Sequence, residues 1–236
     1  MEQAPPKVKI CGITNLDDAE LAVELGAWAL GMIFYEGSPR RCSPAEAQRI
    51  AARLRRRVEL CGVYVNAHLD DLAGSSEALG LTMIQLHGDE GPAYCAEAGR
   101  RTGARVIKAV QVGAAGDLRA LERFHVDYHL LDARTPASER RGLRGGTGET
   151  FDWKLLSARR ANVPVILSGG LSAENVGEAI ALAHPFAVDS ASGTEAAPGR
   201  KDRVRLREFI AAAGRGQAGT QQGPEAPGRT RIGQPA

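Results

Sequence analysis

Aromatic side chains are scarce, 5% of the 236 residues, and neither sign of charge dominates, with 30 Lys and Arg against 28 Asp and Glu. Few stacking platforms and no basic excess argue against a nucleic-acid partner. Long hydrophobic runs are also lacking: none approaches the roughly 20 residues that a membrane helix needs. Residues Met1 to Lys7 include Glu2 and two prolines but no apolar core, which is unlike a secretory leader. Four cysteines (Cys11, Cys42, Cys61 and Cys95) are scattered without a CxxC pair, as expected of reduced thiols in a cytoplasmic protein. The five histidines are dispersed too, and no HExxH or Cys/His cluster suggests a metal. What remains, 43% hydrophobic and 25% charged residues, is the composition of a globular chain.

Along that chain, short runs rich in Val, Ile and Leu alternate with longer amphipathic runs rich in Ala, Glu and Arg. Strands are expected at Val8–Cys11, Ala29–Phe34, Glu59–Val65, Thr82–Leu86, Val106–Val110, Tyr128–Asp132, Val163–Ser168 and Phe186–Asp189. Helices are expected at Asp17–Leu25, Pro44–Arg57, Leu69–Leu79, Pro92–Arg101, Asp117–Phe124, Trp153–Ala161, Ala173–Ala183 and Lys201–Ala213. Ser43, Pro44 and Glu46 read as a capping box with proline at N1, and Ser172 reads as a cap after a glycine turn. Strands alternating with helices imply parallel βαβ units. Eight of them, about 25 residues apart, predict an α/β, single-domain (β/α)8 TIM barrel over residues 7–213, with an open doubly wound sheet as the alternative. Two segments break the rhythm. Arg134–Thr150 is a long Gly/Arg/Thr-rich connection of the functional or mobile kind. Residues 214–236 are rich in Gly, Gln and Pro and are expected to form a disordered polar tail. Three arginines against one glutamate in that tail account for the chain's whole excess of +2, so residues 1–213 are formally neutral.

Barrel chemistry sits at the C-terminal ends of the strands. Gly169-Gly170, before a helix, and Ser192-Gly193, after the eighth strand, are placed to cradle a phosphate on backbone N–H groups, although glycines in such loops also serve merely to turn the chain. Cys11 and Asp132 are the chemical candidates. A cysteine in an apolar strand is ordinarily a small buried hydrophobe. At a strand end it can serve as a base if the local field lowers its thiol, and Lys9, two residues earlier on the same face, is expected to supply that field. A carboxyl at Asp132 follows an apolar run, where desolvation would favour the protonated acid. Position alone leaves a structural role open for both.

Taken together, these segments resemble the phosphoribosylanthranilate isomerase family of tryptophan biosynthesis. The resemblance runs from about Val8 to Ala213. It is carried by Lys9-Ile-Cys-Gly-Ile-Thr14, Gly31-Met-Ile-Phe-Tyr35 with Ser38-Pro-Arg40, and Gln85-Leu-His-Gly88. Further on come Leu131-Asp132, Gly145-Gly-Thr-Gly148 with Phe151-Asp-Trp153, Leu167-Ser-Gly-Gly-Leu171 with Glu174-Asn-Val176, Val188-Asp189, Ser192-Gly193, Pro198-Gly199 and Lys201-Asp202. The resemblance implies an Amadori rearrangement of N-(5-phosphoribosyl)anthranilate without metal or organic cofactor, on a small-molecule substrate, by a cytoplasmic monomer or homodimer with no nucleic-acid or membrane partner. It implies Asp132 as general acid, Cys11 as general base, Arg40 on the anthranilate carboxylate and Asp189 near the sugar hydroxyls. Gly169, Gly170, Ser192 and Gly193 would hold the phosphate. His87 would either line the aromatic pocket or be a satisfied strand-end histidine.

The chain departs from the family after Asp189, where Ser190-Ala191-Ser192-Gly193 stands in place of the common Val-Ser-Ser-Gly. That shifts or removes one hydroxyl and makes Gly193 the firmer expected contact. Two other readings remain: the related phosphosugar isomerase barrel of histidine biosynthesis, which resembles this layout but carries a carboxylate where Cys11 stands, and a non-catalytic barrel that binds a phosphorylated ligand.

Overall fold

The first strand, β1 (Lys7–Cys11), illustrates how the fold is built. Side chains alternate across a strand. Val8 and Ile10 therefore face outward into a large apolar cluster shared with the helices, while Cys11 faces inward into a smaller one. A computed structural model describes residues 4–133 and 162–215. The expected loop Arg134–Thr150, the expected helix Trp153–Ala161 and tail residues 216–236 lie outside the described residues.

Seven more parallel strands repeat the pattern: β2 (Ala29–Ile33), β3 (Glu59–Tyr64), β4 (Met83–Leu86), β5 (Arg105–Val112), β6 (Tyr128–Ala133), β7 (Val165–Leu167) and β8 (Ala187–Ser190). Each pairs with the next, and β1 pairs with β8 in the register Lys9↔Asp189, so the sheet closes into an eight-stranded barrel. Closure excludes the open-sheet alternative. Around it lie α1 (Leu16–Glu24), α2 (Pro44–Leu54), α3 (Leu69–Leu79), α4 (Pro92–Thr102), α5 (Ala115–Ala120), α6 (Val176–Ala183) and α7 (Arg203–Arg215). Among the described residues, no helix is long and apolar enough to cross a membrane.

Several expected boundaries need correction. At α2 the Ser43 hydroxyl accepts from the Glu46 N–H at 3.2 Å, but the Glu46 carboxylate turns to Arg49 at 2.6 Å, so only half of the capping box forms. This helix stops at Leu54 rather than Arg57, and α5 is a six-residue helix followed by a 3₁₀ turn over Leu121–Arg123. Ser172 does not cap α6. It opens a turn in which its carbonyl accepts from Asn175 and Val176, and the helix starts one turn later. Lys201 belongs to no helix. A short antiparallel hairpin, β9 (Glu195–Ala197) and β10 (Arg200–Lys201), precedes α7 and was not anticipated.

Inside the barrel, the floor is apolar: Ala29, Met83, Ile107, Leu130, Ile166 and Ala187 share the inner cluster. The same alternation carried one step further along the strands turns Gln85, Asp132, Ser168 and Asp189 inward at the C-terminal ends. Polar chemistry is thus confined to one mouth of the barrel, beneath the following loops.

Candidate active site

At that mouth lies an open cavity of about 810 Å³, lined by Cys11, Arg40, His87, Asp132, Gly169, Gly170, Asp189 and Ser192, among others. Eight of the nine expected site residues therefore meet in one place. Gly193 is the exception and lies behind the wall. A Cβ there would stand 2.1 Å from the Leu171 carbonyl oxygen, so glycine is what lets the loop after β8 press against the loop after β7. The Ser190 hydroxyl reinforces that contact by donating to the same carbonyl at 2.8 Å. The hydroxyl that departs from the family's pattern is thus a tether between the two loops. Gly169 and Gly170 both have positive φ, 89° and 63°, a backbone turn that suits glycine and presents successive N–H groups to one side. Gly193→Ala is expected to push the two loops apart and raise KM at least about tenfold with a smaller change in kcat, measured by steady-state kinetics.

Cys11 comes from β1 and Asp132 from β6, on different sides of the barrel mouth. Lys9 does face inward, as expected, but it is fully buried and donates to Asp189 Oδ1 at 2.9 Å. Burial alone would pull its ammonium down; adjacent Asp189 outweighs that and holds it above the usual lysine range. For Cys11 the balance runs against expectation. Burial pushes the thiol up, Asp189 adds to this, and the lowering fields of Lys9 and Lys201 offset it only in part. Asp189 also accepts from the Ser168 hydroxyl at 3.2 Å. Each of its oxygens still has a lone pair to offer, since a carboxylate has about four acceptor sites.

His87 stands between Gln85 and Asp132: its Nδ1 lies 3.0 Å from Gln85 Nε2, and its Nε2 lies 3.4 Å from Asp132 Oδ2. As oriented, the amide donates to Nδ1, so the ring proton sits on Nε2, which lies near the Asp132 carboxylate but makes no hydrogen bond. In this orientation the buried Gln85 Oε1 has no hydrogen-bond partner. His87 thus lines the cavity beside the acid candidate.

Arg40 reaches the cavity wall already paired. Its Nε lies 3.0 and 2.9 Å from the two oxygens of Glu195, and its Nη2 lies 2.9 Å from Oε2. Glu195, at the start of β9, is almost fully buried and was missed in the sequence.

The family model for N-(5'-phosphoribosyl)anthranilate isomerase matches residues 8–212. The chain belongs to this family. A relative from Geobacter sp. (strain M21), named N-(5'-phosphoribosyl)anthranilate isomerase, is 47% identical over 207 residues, 88% of this chain and 97% of the relative. The crystal structure of phosphoribosyl anthranilate isomerase from Thermotoga maritima is 42% identical with a TM-score of 0.77, covering 88% of this chain and 98% of that one. Another structure of a phosphoribosyl anthranilate isomerase was solved in complex with reduced 1-(o-carboxyphenylamino)-1-deoxyribulose 5-phosphate. It is 40% identical with a TM-score of 0.74 and covers 88% of this chain and 98% of that chain. Membership decides between the two isomerase readings in favour of the family in which cysteine occupies the end of the first strand.

Proposed function

We propose that this chain catalyses the Amadori rearrangement of N-(5-phosphoribosyl)anthranilate to 1-(2-carboxyphenylamino)-1-deoxyribulose 5-phosphate, a step of tryptophan biosynthesis. The observation that carries this reading is the placement of Cys11 and Asp132 on one cavity, at the ends of β1 and β6. Asp132 gives its proton to the ribose ring oxygen as the bond to C1 breaks, and the anthranilate nitrogen's lone pair completes a protonated Schiff base. Cys11, as thiolate, takes the proton from C2. The C–H pair becomes the C1–C2 double bond, and the imine pair returns to nitrogen. The resulting enol tautomerises to the ketone. One group must start protonated and the other must be able to accept a proton, which suits a carboxyl and a thiolate.

The remaining groups bind. The guanidinium of Arg40 suits a carboxylate because it presents paired donors in a plane, and its contacts with Glu195 use only two of its three nitrogens. The phosphate rests on the Gly169-Gly170 turn and on Ser192, with Gly193 shaping the cradle from behind. Asp189 faces the sugar hydroxyls. The barrel of residues 7–213 is the catalytic domain, and the polar residues beyond it take no part in the reaction.

Purified full-length protein given N-(5-phosphoribosyl)anthranilate is expected to consume it with loss of anthranilate-type fluorescence and to restore growth of an auxotroph lacking this step. Binding without consumption would favour the non-catalytic barrel and overturn the proposal.

A further inference from the structure

Behind the wall of the cavity, and outside its lining, lies a fully buried ammonium. Lys201, on β10, places Nζ 2.7 Å from the Cys11 carbonyl oxygen, 3.0 Å from the Ala191 carbonyl oxygen and 3.3 Å from Glu195 Oε1. Burial pulls the Lys201 ammonium below the usual lysine range against the opposing pull of Glu195, yet its three acceptors match the three N–H donors of an ammonium, and a neutral amine would leave one of them without a partner. Glu195 in turn grips Arg40 with both oxygens and accepts from the Gly199 N–H at 3.3 Å, while Arg205 donates to the Glu195 carbonyl at 2.7 Å. The Lys201 backbone N–H is fixed by Asp18 at 2.9 Å. One cation therefore touches the residue before the Gly12 turn, the loop after β8 and the partner of Arg40.

Burying such a pair is expensive, and a packed apolar pair is often as stable or more so. Stability alone is a weak reason for this arrangement. The three acceptors offer a better one, since each belongs to a different part of the site. We propose that Lys201 is a positioning residue whose ammonium holds the base Cys11, the phosphate loop at Ala191–Ser192 and, through Glu195, the carboxylate clamp Arg40 in one fixed arrangement. The inference rests on the roles given to those groups under the proposed function.

The charged groups facing the Cys11 thiol are Lys9 on its own strand, Asp189 on β8 and Lys201 on β10, with the Cys61 thiol, itself pushed up to about 12 by burial, on β3. Lys9 is tied to Asp189, and Lys201 is the other cation that favours the thiolate. Removing it should make the thiol harder to ionise.

The test compares Lys201→Met with the wild-type chain. The pH dependence of iodoacetamide alkylation at Cys11, located by peptide mass spectrometry, reads the thiol without substrate. Its midpoint should move up by about one pH unit. In steady-state assays kcat should fall about a hundredfold, the effect of a misplacement near 1 Å, and KM should rise. Should the single variant not fold, Lys201→Gln keeps a polar end of similar reach and leaves Glu195 paired with Arg40, and the alkylation midpoint should still rise. A folded variant with the wild-type midpoint and a kcat within about threefold of wild type would make Lys201 merely structural and overturn the inference. Failure of the wild-type chain to turn over substrate would instead strike the proposed function, and the alkylation arm would still decide the coupling between Lys201 and the thiol.

Discussion

Replacing Cys11 with alanine lowers kcat about 10³- to 10⁴-fold, at the upper end of what a positioned base contributes. KM changes little, because the thiol acts on a proton and supplies little of the ground-state binding. The loss of one buried sulfur costs about 1 kcal/mol of stability, so the melting temperature should fall by only a few degrees. A fluorescence progress curve at matched protein concentration measures the effect, and turnover within tenfold of wild type would remove Cys11 from the mechanism. The pH profile follows from the same residue. Burial raises the thiol above its ordinary value. The base is the ionised form. Hence kcat/KM should climb as pH rises through neutrality and level off only once the thiol has ionised, and the Cys11→Ala variant should lose that climb.

The second large effect is expected from Asp132→Asn. The amide keeps the size of the carboxyl and can still meet His87, but it has no proton to give to the ring oxygen. We expect kcat to drop about 10²- to 10⁴-fold with the fold intact. Far-UV circular dichroism and the melting curve provide the control, since Asp132 lies near the rim of the barrel and not in its apolar floor. Near-normal turnover would show that ring opening needs no acid from this position. A substrate supplied already in its open-chain form should be less sensitive to Asp132→Asn than to Cys11→Ala, which separates the two roles.

The barrel was legible because inward and outward residues alternate along short strands, and every expected strand reappears within a few residues of its place. Helix starts were harder to read. Ser172 looked like a cap, but Gly169-Gly170 and the turn through Asn175 use up that stretch before the helix begins. The site was legible where function attaches to strand ends. It was illegible where burial is created by closure. A lysine in Arg200-Lys201-Asp202 reads like any solvated lysine, and only the folded hairpin takes Lys201 out of water. The partner of Arg40 lies 155 residues away, so no local pattern could reveal that the guanidinium was engaged. The sign of the Cys11 shift was also out of reach. The sequence shows Lys9 on the right face, but whether its field outweighs desolvation depends on how deeply both groups lie and on Asp189, which arrives from the far end of the chain.

The base sits on the first strand, and its surroundings come from the eighth strand and the hairpin beyond it. Lys9 meets Asp189 across 180 residues, and Lys201 meets Cys11 across 190. Contacts this distant in sequence are slow to form, because the loop they close must be ordered first. Sheet and helix signals can therefore recover while the ends of the chain are still apart, in a molecule with most of its secondary structure and no working site. During refolding from denaturant, recovery of turnover should trail recovery of far-UV ellipticity. The enzyme's own activity thus becomes a clock for the moment at which the first and last strands meet.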